Sequence, residues 1–380
     1  MPIPLQQMDD FHLTNLPNWD YMKWEDISVK LQKLLARHIF GLMEPDKETG
    51  DHAKWEVQYD YDDNFAVTGP YDTDDSSTKS VMTTAEVFWS YFKTNYIYDL
   101  RQVYFNGDEV AILKWLDRKE HELMTSFWIG MEKQLAGPGP SAPSPPVERP
   151  PLCSLLWYLP PYNVAGGNQS SIGTLASGVT SDFLGCDPPG FASVGTAGIS
   201  RVLQPGWRHR VGTYNVFNED DALDTILDCM DLCQFTPVAS YSELAPTEDP
   251  DWMLITTRSR LKLARRISAS QNDNMKGNVT KWKDTVFIRG VPLEWWAAWT
   301  SNSIGCQQTN GPVMGINKKT WSYCTNAAVN LYKSPPIADP NNKVFGRWRC
   351  LDHSCQLKLR NPRGNFIVTY GGAGTIVEAN

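Results

Sequence analysis

From Glu109 to about Ala136 a single apolar stripe runs unbroken through the sequence. Ile112, Leu116, Leu123, Phe127, Met131 and Leu135 recur at helical spacing, while Lys114, Asp117, Arg118, Lys119 and Glu122 lie largely away from it. At 1.5 Å per residue such a helix is about 40 Å long, well above the usual length in a globular domain. It ends abruptly at Gly137-Pro138-Gly139-Pro140, and Pro-rich sequence continues to Pro151. No other feature constrains the fold as strongly, because the other elements must be arranged around a rod.

Ahead of this helix the period changes. Residues 1–23 are polar and Pro-punctuated and read as an extended arm, and Ile27, Leu31, Leu34 and Leu35 predict a short helix from Trp24 to about Phe40. In Lys54-Trp55-Glu56-Val57-Gln58-Tyr59-Asp60-Tyr61 the apolar residues fall on every second position, as in a strand with one polar face. A loop dense in acids and turn formers follows (Asp62, Asp63, Gly69-Pro70, Asp72, Asp74, Asp75, Ser76, Ser77), then an extended stretch from Val81 to Phe105. The pair predicts a long hairpin with a charged tip. A lone two-stranded ribbon is marginal in water, so it needs a surface to lie against, and its aromatic positions point to a neighbouring copy. The candidate inter-subunit contacts are Trp55, Val57, Tyr59 and Tyr61 on the first strand, Lys79 near the tip, and Val87, Trp89 and Tyr91 on the second.

Beyond the long helix, residues 160–205 are Gly/Ser-rich and weakly patterned and read as a long surface excursion, which a compact domain rarely keeps without a use. Asn218 begins a capped helix, with Glu219, Asp220 and Asp221 in its first turn and Ala222, Leu223, Ile226, Leu227 and Met230 on its apolar face. Trp252 to Thr256 reads as a buried strand, Ser259 to about Ser270 as a basic amphipathic helix, and Val286-Phe287-Ile288 opens another strand with Val291 just beyond. Val344 to Asp352 and Ser354 to Arg360 are extended. Asn361-Pro362-Arg363-Gly364 then turns the chain, and Asn365 to Thr369 closes it as a hairpin. The class is α+β with extended arms.

Composition bounds the function. Aromatics make 12% of the chain, with 15 Trp, which suits either a Trp-rich core or an interface. A net charge of −8 disfavours reading of a phosphate backbone. The start Met1-Pro2-Ile3-Pro4-Leu5 shows no secretory pattern, and no apolar run is long enough to span a membrane. The 8 cysteines therefore read as reduced thiols, and the sequons at Asn168 and Asn278 carry no weight.

Catalytic and metal motifs are sought with little return. Gly190-Phe191-Ala192-Ser193-Val194-Gly195 has one residue too many for a nucleophile elbow, and Gly371-Gly372-Ala373-Gly374 has no helix after it. His121-Glu122 lacks the second His of a zincin, Thr125 standing in its place. Cys350, His353 and Cys355 are the best metal candidates, but on a strand Cys350 points away from the other two. Cys229 and Cys233 read as buried apolar thiols. The run Arg258, Arg260, Lys262, Arg265, Arg266 reads as a solvated helix face. No catalytic residue, metal ligand or cofactor is expected; a carboxylate pair of glycosidase type meets only in three dimensions and has no positive sign in the sequence.

The order of elements carries a resemblance. Thr84-Ala85-Glu86-Val87-Phe88-Trp89 through Thr94-Asn95-Tyr96, running into the helix at Glu109, resembles the junction of extension loop and spine helix in tailed-phage capsid proteins. Gly206-Trp207-Arg208 to Phe235, Ser270 to Asn274 with Thr285 to Pro292, and Arg363 to Val368 are similar to other segments of that family. The resemblance implies the Hong Kong 97-type fold: an N-terminal arm (1–50), an E-loop hairpin (51–83), a P domain (84–160) with its spine helix (109–136), an A domain with inserted loops (161–330), and a returning P-domain hairpin with the C-terminal tail (331–380). It further implies a head subunit, without enzymatic activity, that self-assembles into hexamers and pentamers of an icosahedral shell around double-stranded DNA. The subunit would stand in the host cytoplasm before assembly and in the virion after. Partners implied are a portal, a separate scaffolding protein (only about fifty residues precede the hairpin), a decoration protein, and packaged DNA by weak contact alone. Neither metal nor chain cleavage is expected to be needed for assembly. The alternative from the residues is a secreted carbohydrate-binding or carbohydrate-active protein whose Trp rings stack on sugars.

Overall fold

A computed structural model of the chain describes residues 34–59, 80–99, 109–140, 151–161, most of 185–234, 250–271, 279–282, 285–300, 306–308, 310–335, 337–338 and 346–371. The expected arm, the first part of the Trp24–Phe40 helix, the hairpin tip and residues 162–184 lie outside them.

Helix α1 (Ala36–Leu42) and strand β1 (Glu44–Glu48) lead into β2 (His52–Gln58) and β3 (Met82–Phe88), which pair antiparallel from His52 opposite Phe88 to Gln58 opposite Met82. After β4 (Ser90–Asp99) comes the long helix α2 (Glu109–Ala136), with 28 residues and the bounds its stripe predicts. A one-turn helix α3 (Leu155–Tyr158), β5 (Arg210–Tyr214), α4 (Asp224–Leu232), β6 (Trp252–Thr256) and α5 (Arg258–Gln271) follow. Then come β7 (Val279–Trp282), β8 (Thr285–Ile288), β9 (Val291–Trp295), one-turn α6 (Ala297–Thr300), β10 (Val313–Asn317) and β11 (Trp321–Asn326). The chain closes with the two-residue β12 (Tyr332–Lys333) and β13 (Ile337–Ala338), then β14 (Gly346–Leu359) and β15 (Phe366–Tyr370).

The first sheet is laid on β14. Strand β4 runs antiparallel along it from Ser90 opposite Cys355 to Asp99 opposite Gly346. On the other edge β13, β12 and β11 pair with successive parts of β14, and β1 adds in parallel to β11. Helix α2 packs over β4, and the described part of its stripe (Leu123, Phe127, Met131, Leu135) is buried. Phe127 meets the His353 ring of β14 edge-on at 5.5 Å.

The second sheet has seven strands in the order β5-β15-β10-β6-β9-β8-β7. Its β6 is buried on both faces, which is why Trp252 to Thr256 reads as a continuous apolar run. Alternation divides it: Trp252 and Leu254 join a core with Ile226 and Leu227 of α4 and Leu261 and Ala264 of α5, while Met253 and Ile255 join the core of the first sheet and α2. Helices α4 and α5 thus share one face of the sheet, and the C-terminal end of α2 lies toward the other.

Glu132 binds these layers together. Its buried carboxylate accepts the Leu35 and Ala36 amides at 3.2 and 2.7 Å, capping α1, and also the Trp296 indole N–H. Burial pushes this carboxyl above its usual range, opposed by the three hydrogen bonds.

Two sequence expectations are corrected here. The terminal strands β14 and β15 do not form a hairpin: β14 stays in the first sheet, and β15 pairs with β5 and β10 in the second. The turn is a 3-10 step at Pro362–Gly364, and the Asn365 side chain there accepts from the Asn317 amide and Trp321 indole, each at 2.9 Å, tying the crossing to the β10–β11 connection. Nor is the described end of the Gly/Ser-rich stretch a surface excursion. Phe191, Thr196, Ala197, Ile199 and Arg201 are buried.

The capped helix is borne out. Asn218 accepts the Asp221 amide at 2.9 Å, and a π-helical turn at Glu219–Leu223 runs into α4. Asn218→Ala should lower stability by about 1 kcal/mol, read by urea unfolding, because the first-turn amide loses its acceptor.

Candidate assembly interface

The hairpin stem shows which of its residues remain free for a neighbour. Ala53 and Val57 on β2 face Ala85 and Val87 on β3, and all four are buried in the first core. Trp89 is 1% exposed and its indole donates to the Gly50 carbonyl at 2.8 Å. Val57, Val87 and Trp89 are therefore occupied within the chain. Trp55 is half-buried, with the Lys358 ammonium 5.7 Å from its ring centre. Lys358 is itself buried and pairs with Asp46, at 3.1 Å, and Glu48 of β1. Tyr59 closes the stem, its hydroxyl donating to the Ser80 carbonyl at 2.8 Å. Tyr91 stands 62% exposed. Tyr61 and Lys79 lie outside the described residues.

A ribbon of this kind needs support, and the described stem takes some of it from its own chain. The Glu86 amide donates to the Ala197 carbonyl at 3.0 Å. At Gly206 a Cβ would lie 2.2 Å from the Tyr59 carbonyl oxygen, so only glycine permits that approach.

The supporting loop is held by one buried cation. The Arg201 amide donates to Asp187 at 2.8 Å, its Nε donates to the Trp207 carbonyl at 3.1 Å and lies 3.7 Å from the Asp187 carboxylate, and Nη2 donates to the Tyr158 carbonyl. Nearby the Trp207 indole donates to Thr196 Oγ1 at 3.2 Å, and His209 Nε2 donates to the Pro160 carbonyl at 2.9 Å. Burial pushes the Asp187 carboxyl up and Arg201 pulls it back, while burial holds His209 neutral, well below its usual value.

The surface left to a neighbour is the opposite face. Met82 (54% exposed) and Phe88 (41%) point outward from β3, and Tyr91 and Ile97 (53%) from β4. The sequence reading missed Met82, Phe88 and Ile97. Alternation does signal them, but it shifts phase where Trp89 and Ser90, consecutive residues, are both buried as the chain passes from hairpin to first sheet.

The remaining candidates resolve simply. His353 and Cys355 share a face beside Tyr323, and Cys350 lies on the other beside Asp352. Among the described residues no three His, Cys, Asp or Glu side chains converge on a metal-sized site. Cys229 and Cys233 are buried free thiols, and burial pushes Cys229 up to about 12. The basic run is only partly a solvated face: Arg260 is buried against the Tyr214 and Phe217 rings, at 5.4 and 5.6 Å, while its four basic neighbours are exposed. Trp89, Trp207, Trp296, Trp299 and Trp321 are under 2% exposed, which places them in the core and leaves them unable to stack on sugars.

No protein-family model matches the sequence, and no curated protein matches it. Solved structures do. The chain is similar over 94% of its length, and over 98% of the other chain, to one in the cyanophage A-1(L) capsid asymmetric unit, with a TM-score of 0.52 and 11% identity. A second, from the capsid of cyanophage P-SCSP1u, covers 94% of each chain with a TM-score of 0.50 and 9% identity. The likeness is one of fold: the α+β phage-capsid fold that the element order implied is the fold of this chain.

Proposed function

We propose that the chain is the major capsid subunit of a tailed phage, which self-assembles into the icosahedral shell enclosing double-stranded DNA. The observation that carries this is the chain-long likeness to capsid chains, spanning both sheets and α2 rather than one shared motif. In this reading residues 1–50 form the arm, 51–83 the E-loop, and α2 the spine helix. The first sheet is the P domain, drawing β11 from within 161–330, and the second is the A domain, drawing β15 from the tail. The chain acts by repeated association with copies of itself, each modest contact multiplied over a closed surface. A portal, a separate scaffolding protein, a decoration protein and weakly held DNA complete the partners, and the subunit passes from host cytoplasm to virion. No bond-making step is assigned to it.

Electron microscopy of the purified protein tests the reading: rings or shells support it, and a small discrete oligomer overturns it. Deleting residues 60–80, outside the stem's buried contacts, should leave folded protein that fails to close shells. Normal particles from that deletion would show that the hairpin tip is dispensable.

A further inference from the structure

Resting on the shell reading, we propose that copies of the chain join head to tail through the two helix-covered flanks of the second sheet, an acidic stripe on α4 seating against a basic groove on α5 of the next copy. Helix α4 packs on β5 and β15 at one end of that sheet, and α5 packs on β7, β8 and β9 at the other. Helix α4 packs over the edge strand β5, while its last turn reaches the β8–β9 turn through the Asp231–Arg289 pair. The flanks are opposite in sign. Asp220, Asp224 and Asp228 fall every fourth residue along the exposed side of α4 and its first turn, with Glu219 beside them. Arg258, Lys262, Arg265 and Arg266 occupy the exposed side of α5.

The basic flank is shaped as well as charged. Arg258, Leu261, Lys262, Arg265 and Trp295 line a groove of about 200 Å³, and the Arg258 guanidinium lies 5.9 Å from the Trp295 ring centre. Among the described residues Glu219, Asp220 and Asp224 form no ion pair, nor do Arg258, Lys262 and Arg266. The contrast with Asp231, whose ion pair with Arg289 consumes its charge inside the chain, is direct. Apposing two α4 stripes or two α5 grooves sets like charges together, so each surface is matched only by the other kind on a different copy. A head-to-tail contact makes that match between successive subunits and repeats it around a ring where the rotation closes. A chain with net charge −8 would gain little from presenting this groove to a partner of its own overall sign unless the local stripes matched.

The test uses three full-length variants. One carries R258E, K262E and R266E and has two acidic flanks; one carries D220K, D224K and D228K and has two basic flanks; the third carries all six substitutions. Circular dichroism checks that each is folded, and sedimentation with electron microscopy reads assembly. Each three-substitution variant alone should lose assembled material by about tenfold or more. Their equimolar mixture should regain it as rings with an even number of members, since acidic-flanked and basic-flanked copies must alternate. The six-substitution chain, with its polarity reversed, should assemble alone. Folded variants that assemble alone at wild-type yield, or a mixture that stays unassembled, would overturn the flank pairing while leaving the shell reading intact. A wild-type chain that itself never assembles overturns the shell reading, and this proposal with it.

Discussion

Arg201→Met should destabilise the chain by about 4 kcal/mol, as expected when one partner of a buried ion pair is removed. Methionine fills similar space, so the loss is of hydrogen bonds rather than volume. The Tyr158 and Trp207 carbonyls would each lose a donor, and the Asp187 carboxylate its ion-pair partner, in a site where Arg201, Asp187 and Tyr158 are at most 1% exposed. With the guanidinium gone, the largest opposition to the burial that raises the Asp187 carboxyl is lost, leaving only the Arg201 and Thr196 amides and Arg208 to hold it down. Its folded-state value then sits further above the unfolded one, so the variant should recover stability as pH falls. Asp187→Asn in the same chain should recover part of the loss at neutral pH, because no unpaired charge remains. Urea unfolding of the two variants measures both effects. An Arg201→Met chain within about 1 kcal/mol of wild type would mean that water reaches this site and that the loop relaxes around the gap. Because the loop also holds the β3 edge through Ala197, the same variant should loosen the hairpin stem, visible as faster amide exchange at Glu86.

This cation also marks where sequence reading stops. The stripe of α2, the cap at Asn218, the continuous apolar run of β6 and the basic helix α5 are each local patterns, and each is found within a residue or two of its expected bounds. Partnership is not local. The strand run from Val81 reads as one half of a hairpin, yet β3 pairs with β2 and β4 with β14, more than 240 positions away for each residue pair. The single phase shift at Trp89–Ser90 is the only trace of that change, and one residue is too little to outweigh a long alternating stretch. Likewise the turn at Pro362 was legible as a turn, but its chemistry fits a hairpin and a crossing between sheets equally well. The Arg201 site left no pattern at all. Arg201 and Asp187 lie in Gly/Ser-rich sequence whose polar composition suggests exposure, and the other partners, Tyr158 and Trp207, flank it, whereas a buried cation satisfies their backbone carbonyls from inside. Among the contact candidates, alternation grouped Val87 and Trp89, which the chain keeps for itself, with Tyr91, which the phase shift turns outward.

Acid should weaken the first sheet through His353. The residue is 2% exposed on β14, and burial holds its imidazole down at about 4, against an ordinary 6.5. Its neutral form is fixed by its partners: the Leu331 amide donates to Nδ1 at 3.3 Å, and Nε2–H donates to the Tyr323 hydroxyl at 2.6 Å, which in turn bonds Cys355. Phe127 of α2 closes the site with its ring edge, offering no counter-charge. A histidine depressed in the folded state contributes stability that is fully present above its unfolded value and is lost as pH falls through the interval to its folded one. The window is therefore from about 6.5 down to about 4, and a shift of that size corresponds to roughly 3 kcal/mol. Glu132 acts in the opposite direction, since its raised carboxyl favours the folded state more as pH falls, so it opposes rather than mimics the histidine effect. His353→Gln separates the two. Melting temperature measured against pH on unassembled protein should show wild type above the variant near neutrality, with the gap closing toward pH 4 as the wild-type imidazole pays for burial by taking up a proton only in the unfolded chain. Parallel curves across that window would show that His353 titrates as an ordinary surface histidine. Because the residue links β14 to β11 and to the turn at Leu331 beneath α2, the first elements to exchange amides faster in acid should be β11 and that turn, with the second sheet unchanged.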